Sequence, residues 1–113
     1  MIHYTDLLGI PYKRHGRDKA GLDCYGLVLE MCRRYGKPLK DFYNDFSNLS
    51  EINPSLNLFP YDYIEEGVII QIKSLQGLHI GFTLNKREFI HATEKGVCVS
   101  PICRYEIIGK YKW

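Results

Sequence analysis

The sequence predicts an α+β fold in which one amphipathic helix packs on an antiparallel sheet of about five strands. Two observations carry that expectation. In CYGLVLEMCRRY, residues 24 to 35, the apolar side chains recur at helical spacing. Behind Gly67, short runs rich in β-branched and aromatic residues follow one another with only turn residues between them. Such spacing leaves no room for crossover helices and so implies a meander rather than βαβ units. At 113 residues the chain is expected to form one domain, 1–113, with a core that needs no metal or disulfide staple.

A short helix is expected over residues 3 to 9, stopped by Gly9 and Pro11. The stretch from Tyr12 to Leu22 carries Gly16, Gly21 and several charges and reads as a loop. Asp23 is a good N-cap for the helix that follows. Cys24, Leu27, Val28, Met31, Cys32 and Tyr35 share one face, and Glu30, Arg33 and Arg34 take the other. Gly36 and Pro38 end this helix, with both arginines suited to its negative pole. Residues 37 to 66 mix Asn, Ser, Pro and aromatics; one short helix near 47 to 53 and a role as a groove wall are expected there. The strands are VIIQI (68–72), HIGFTL (79–84), EFIHAT (88–93), GVCVSPI (96–102) and RYEIIGKYKW (104–113). Turns fall at Gln76-Gly77, Asn85-Lys86-Arg87 and Lys95-Gly96.

Composition excludes several classes. A net charge of +2, with no basic run beyond Arg33-Arg34, argues against nucleic acid and anionic membranes as partners. No apolar run approaches a membrane span, and MIHYTDLLGIPYK has no signal-peptide pattern, so synthesis in the cytoplasm without membrane insertion is expected. The four cysteines form no CxxC pair and no zinc-type spacing with histidine, so neither a metal nor another cofactor is expected. Cys24 and Cys32 are eight apart along one helix, too far to bridge each other, and all four cysteines read as reduced.

Cys24 occupies the first helical position after the Asp23 cap. The positive pole of the helix lowers a thiol pKa there, while the Asp23 charge opposes the effect. By itself the cysteine reads either as a packed hydrophobe or as a nucleophile. The strand pattern adds two histidines. Alternation puts His79, Gly81 and Thr83 on one face of HIGFTL, and Phe89, His91 and Thr93 on one face of EFIHAT. If Asn85-Lys86-Arg87 forms a three-residue hairpin loop, Leu84 opposes Glu88 and Gly81 opposes His91. His79 and His91 are then diagonal neighbours on one face, with Gly81 leaving space beside His79. A two-residue loop would put them on opposite faces. The pair reads as a surface pair, as half of a metal site, or as a base with its orienting partner.

These residues also resemble a known family. GLDCYGLV is similar to the D-C-S-G-[LF]-V nucleophile motif of NlpC-type cysteine peptidases. HIG resembles the H-[VI]-G strand of that family, and FIHA its next strand, with the two histidines twelve positions apart. Tyr12 stands twelve residues before Cys24, another family feature. The loop YKRHGRD and the ending IIGKY are similar to the phage-tail branch, and the likeness runs from about Leu8 to the C-terminus.

The resemblance implies a papain-like architecture and hydrolysis of amide bonds in peptidoglycan stem peptides, commonly between γ-D-glutamate and a diamino acid. It implies Cys24 as nucleophile, His79 as general base and His91 as the group that orients His79. It makes Tyr12 and the Cys24 amide candidates for holding the scissile carbonyl or its oxyanion, with Asp23 a helix cap or a contact for a substrate amine. It also implies phage tail proteins as partners, and a chain that is virion-associated or released to act on the wall. Departures from the pattern are visible. Glu65-Glu66-Gly67-Val68 stands where the family has Pro-Gly-Asp, and Tyr25, in place of serine, is expected to narrow the groove. The expected alternatives are a non-catalytic structural or binding module of a tail assembly, and an amidase or acyltransferase using the same site.

Overall fold

The computed structural model describes residues 2–41, 58–74 and 77–113; the helix expected near 47–53 and Gln76 of the first turn lie outside them. The helix expected over residues 3 to 9 is instead a single 3₁₀ turn, Thr5–Leu7. Leu8 leaves it in an extended conformation, and the next residues hydrogen-bond elsewhere. Gly9 N donates to Val97 O at 2.9 Å, and Val97 N donates to Ile10 O at 2.9 Å. Seven residues make too short a helix to outcompete such backbone pairing.

The loop from Tyr12 to Leu22 contains a small ribbon, β1 (Arg17–Asp18) paired with β2 (Gly21–Leu22). Helix α1 follows over Cys24–Arg34, capped by Asp23 as expected, with the carboxylate accepting from Gly26 N at 2.7 Å. Gly26 is needed here: a Cβ on it would stand 2.2 Å from the Gly16 carbonyl. The Gly16 carbonyl of the cap loop therefore lies directly against the backbone of the first helical turn.

The remaining strands are β3 (Phe59–Pro60), β4 (Ile69–Ser74), β5 (Gly77–Thr83), β6 (Glu88–Thr93), β7 (Gly96–Pro101) and β8 (Glu106–Lys112). Among the described residues they form one six-stranded antiparallel sheet in the order β3-β8-β4-β5-β6-β7. Strands β4 to β7 follow the predicted meander, but the fifth strand expected in it, residues 104–113, does not continue beside β7. After a 3₁₀ turn at Ile102–Arg104, β8 crosses back to the open edge of β4, and the two-residue β3 extends the sheet beyond it.

Both faces of the sheet are apolar. Ile69, Ile80, Phe82, Ile90 and Ala92 pack against Leu27, Val28 and Met31 of α1. On the other face Val68, Ile70, Ile72, Phe89 and Ile102 form a smaller cluster, covered in part by Tyr105 and Ile107. The near-continuous apolar run of VIIQI follows from burial on both sides. Among the described residues no helix is long and apolar enough to cross a membrane.

The turn that leads into β4 forms without Pro-Gly-Asp. Gly67 adopts φ +82°, a region that L side chains avoid. Thr83 then staples the turn from β5. Its Oγ1 accepts from Val68 N at 2.7 Å and donates to the Glu65 carbonyl, while Gly67 N donates to Thr83 O at 3.0 Å.

Candidate active site

The hairpin joining β5 and β6 has the three-residue loop parity that puts both histidines on one face. Phe82 pairs with Ile90 and Thr83 with Phe89, and Leu84 N donates to Glu88 O at 2.9 Å. The Asn85 side chain closes the loop by accepting from Arg87 N at 2.7 Å and Glu88 N at 2.9 Å. His79 Nε2 lies 2.9 Å from His91 Nδ1, a direct hydrogen bond. The space beside His79 is not left open by Gly81. The Phe89 ring fills it, so close that a Cβ on Gly81 would meet the ring at 2.5 Å.

Ladder pairing between β5 and β6 is confined to the two pairs nearest the loop. Where it ceases, a cavity of about 990 Å³ is lined by Cys24, His79, His91 and Tyr12, with Tyr105, Arg104 and Lys73 among its walls. The break in the ladder lets Cys24, from the helix-covered face, share a space with two histidines from the opposite face. No hydrogen bond links the thiol to His79 among the described residues, and such contacts are often long until substrate is bound. Tyr12 is 45% exposed and is tied to the cap loop by a bridge to Leu22.

Asp23 and Tyr25 stand apart from this cavity. Asp23 Oδ1 accepts from Gly26 N at 2.7 Å and from Arg17 at 2.7 Å, and Oδ2 accepts from His15 N at 3.0 Å. Both carboxylate oxygens are thus engaged in holding the cap loop. Tyr25 does not narrow the groove: it is 1% exposed, its hydroxyl donates to the Lys40 carbonyl, and Arg17 lies 5.5 Å from its ring centre. Helical geometry turns this side chain, one residue past Cys24, toward the interior.

Burial sets the resting protonation states. It pushes the Cys24 thiol up to about 11, with Asp23 adding to the rise, while the amides of Ile80, Tyr25 and Cys24 pull the other way. Desolvation thus outweighs the helix pole that was expected to favour thiolate. Burial likewise lowers His79 to about 4, and lowers His91 to about 4 with help from the adjacent His79. The free site at neutral pH holds a thiol and two neutral imidazoles.

Sequence reading missed the far side of His91. Its Nε2 lies 2.8 Å from Ser100 Oγ and 3.7 Å from Cys98 Sγ. The register of β6 on β7 sets Cys98 opposite His91 and Ser100 opposite Phe89, making Ser100 a diagonal neighbour of His91. The same parity argument that paired the histidines could have found it, with Thr93 opposite Gly96 across a two-residue turn. All four cysteines are free. Among the described residues no three His, Cys, Asp or Glu side chains are grouped to hold a metal ion.

A helix carrying a cysteine at its capped end, laid on an antiparallel sheet that presents two hydrogen-bonded histidines, defines a papain-like α+β fold of the NlpC/p60 type. The structure matches the crystal structure of the NlpC/p60 domain of the peptidoglycan hydrolase SagA with a TM-score of 0.69 and 18% identity, covering 96% of this chain and 91% of that one. In sequence the chain is 27% identical over 104 residues to the murein DD-endopeptidase MepS/murein LD-carboxypeptidase of Escherichia coli strain K12. The protein of the same name from Escherichia coli O157:H7 matches equally. These alignments take in 90% of this chain and 53% of the relative, so the chain spans about half the length of the curated relatives it matches. No protein-family model matches the chain.

Proposed function

We propose that this chain is a cysteine peptidase that hydrolyses amide bonds in peptidoglycan stem peptides. The observation that carries the proposal is the shared cavity of Cys24, at the capped start of α1, and the His79–His91 pair at 2.9 Å. Because the resting thiol is neutral, its proton must leave as the sulfur attacks. His79 takes that proton, and His91 holds the imidazole in place. The attack forms the C–S bond and moves the carbonyl electron pair onto oxygen, toward amides at the start of α1 and the hydroxyl of Tyr12. Collapse breaks the C–N bond, with the proton passing from His79 to the leaving amine. Water, deprotonated by His79, then cleaves the thioester and restores the thiol.

Within that reading the scissile bond joins γ-D-glutamate to a diamino acid, and the chain reaches the wall as part of a phage tail or after release. The supporting features are the YKRHGRD and IIGKY segments. In the fold, Gly16 and Arg17 from the first buttress the cap of α1, and the second runs along β8. A second reading, a non-catalytic binding module, is favoured by one observation, the burial that raises the Cys24 thiol.

Incubating the purified chain with peptidoglycan should release new amino termini, and mass spectrometry of the muropeptides should identify the bond. Cys24→Ala should abolish the release. Release that survives Cys24→Ala would rule out the peptidase mechanism; intact muropeptides with bound protein would favour the binding module.

A further inference from the structure

We propose that Tyr105 is a positioning residue that keeps water from the His91 imidazole and so sets the acid limit of the site; the proposal rests on the peptidase reading. His91 borders the catalytic cavity yet is only 1% exposed. Both ring nitrogens are occupied, Nδ1 by His79 Nε2 at 2.9 Å and Nε2 by Ser100 Oγ at 2.8 Å. Two aromatic rings flank it as well. Phe89 lies with centroids 4.3 Å apart, and Tyr105 stands nearly perpendicular, at 81° and 5.7 Å. Phe89 is fully buried, whereas Tyr105 is half-buried and lines the cavity itself. Of the two covers, Tyr105 is the one that meets solvent.

Backbone contacts hold the cover in place. Tyr105 N donates to Ile102 O at 3.1 Å, closing the 3₁₀ turn, and Ile102 N donates to Arg87 O at 2.8 Å, tying that turn to the β5–β6 loop. The ring of Tyr105 also meets that of Phe89 edge-on, with centroids 5.3 Å apart. Among the described residues the Tyr105 hydroxyl makes no hydrogen bond, so the ring and not its polar tip acts on His91.

A buried imidazolium needs water or an opposite charge. The groups facing His91 include no anion. They are His79 from β5, which repels a second positive charge, Cys98 and Ser100 from β7, and Phe89 on its own strand. Cys24 of α1 shares the cavity as a neutral thiol. Charges elsewhere on the cavity wall are mixed: Lys73 on β4, Glu94 past β6, and Arg104 and Glu106 on either side of Tyr105. Burial lowers His91 to about 4, with help from His79. Without the Tyr105 ring, water in the cavity reaches the imidazole and solvates its charged form, so protonation comes at higher pH. Protonating either ring removes the base. A charged His79 has no lone pair for the thiol. A charged His91 donates both N–H groups, so His79 Nε2 must accept and the proton of His79 occupies Nδ1.

Proton NMR of the imidazole C2–H signals reads each histidine's titration in the folded chain. In the unaltered chain the His91 midpoint should lie well below 6.5. Tyr105→Ala should raise it by about 1.5 pH units, while the conservative Tyr105→Phe should keep it in place. Exposed His3 should titrate alike in all three proteins. The pH profile of kcat/KM for release of amino termini from peptidoglycan should follow. Between pH 7.5 and 5, Tyr105→Ala should lose about fourfold more activity than the unaltered chain, and Tyr105→Phe should show the parent profile. If Tyr105→Ala does not fold, Tyr105→Leu, a smaller cover, should show the same rise in lesser measure. An unmoved His91 midpoint in these variants, or an equal rise in Tyr105→Phe, would overturn the proposal. If the unaltered chain releases no amino termini, the peptidase reading fails, while the titration still decides whether Tyr105 shields His91.

Discussion

Asp23 shows how one side chain holds the start of the site. Its carboxylate is 9% exposed and accepts from the amides of Gly26 and His15 and from the guanidinium of Arg17. Arg17 in turn donates to Asp41 and to the Gly16 carbonyl, so one arginine fastens the ribbon, the cap and residue 41 together. Asp23→Ala should remove the cap and both further contacts, costing about 2–4 kcal/mol of stability in urea denaturation. Asp23→Asn can keep the cap to Gly26 through its one carbonyl oxygen and should cost less, losing the bond from His15 N and weakening the charge pair with Arg17. Equal losses for the two variants would show that these contacts outweigh the cap to Gly26. The cap was legible because Asp followed by an apolar-periodic run is a local signal. The protonation state of Cys24 was not, since it depends on how much of the folded molecule surrounds the thiol.

At the level of elements, the parts closed by short turns were legible and the parts closed by distant chain were not. The Asn85-Lys86-Arg87 loop fixes the parity of β5 on β6 within a dozen residues, and with it the meeting of His79 and His91. Nothing local announces that β8 returns to β4, or that Phe59–Pro60 adds an edge strand to it. The two-residue ribbon β1–β2 is likewise too short for a period to register. The turn at Gly67 is the clearest case. Sequence reading registered the lost Pro-Gly-Asp; the compensating group, Thr83, stands sixteen residues downstream of Gly67 and was seen only as a member of the His79 face. Thr83 is fully buried, and Thr83→Val keeps its shape while leaving the Val68 amide without its side-chain acceptor. The expected cost is about 2–3 kcal/mol by chemical denaturation, and Thr83→Ser should recover most of it. A Thr83→Val protein as stable as the parent would mean that the backbone bonds around Gly67 suffice.

For the whole molecule, the two histidines make the site a source of acid sensitivity. Each is pushed by burial from its ordinary value of 6.5 to about 4, His91 with the further influence of His79. The unfolded chain therefore binds more protons than the folded one between pH 6.5 and 4. Stability is fully present above pH 6.5 and falls as the pH drops through that window, by a few kcal/mol for the pair once partial exposure of His79 is allowed for. The carboxylates act in a separate, lower window. Arg34 hydrogen-bonds Asp6, and Arg33 and Arg34 hydrogen-bond Glu30, holding both acids below their ordinary range. Their contribution is present above the unfolded carboxylate pKa, near 4, and is lost on further acidification. The pair Asp6–Arg34 joins the 3₁₀ turn to α1, so its loss should free the front of the chain first. Thermal melting from pH 7 to pH 5.5 should therefore show a falling midpoint above the range in which the unfolded carboxylates titrate. His91→Asn, which removes one buried titrating ring, should reduce that slope. A midpoint that is flat over the same range would show that the imidazoles are not buried as neutral groups in the folded protein.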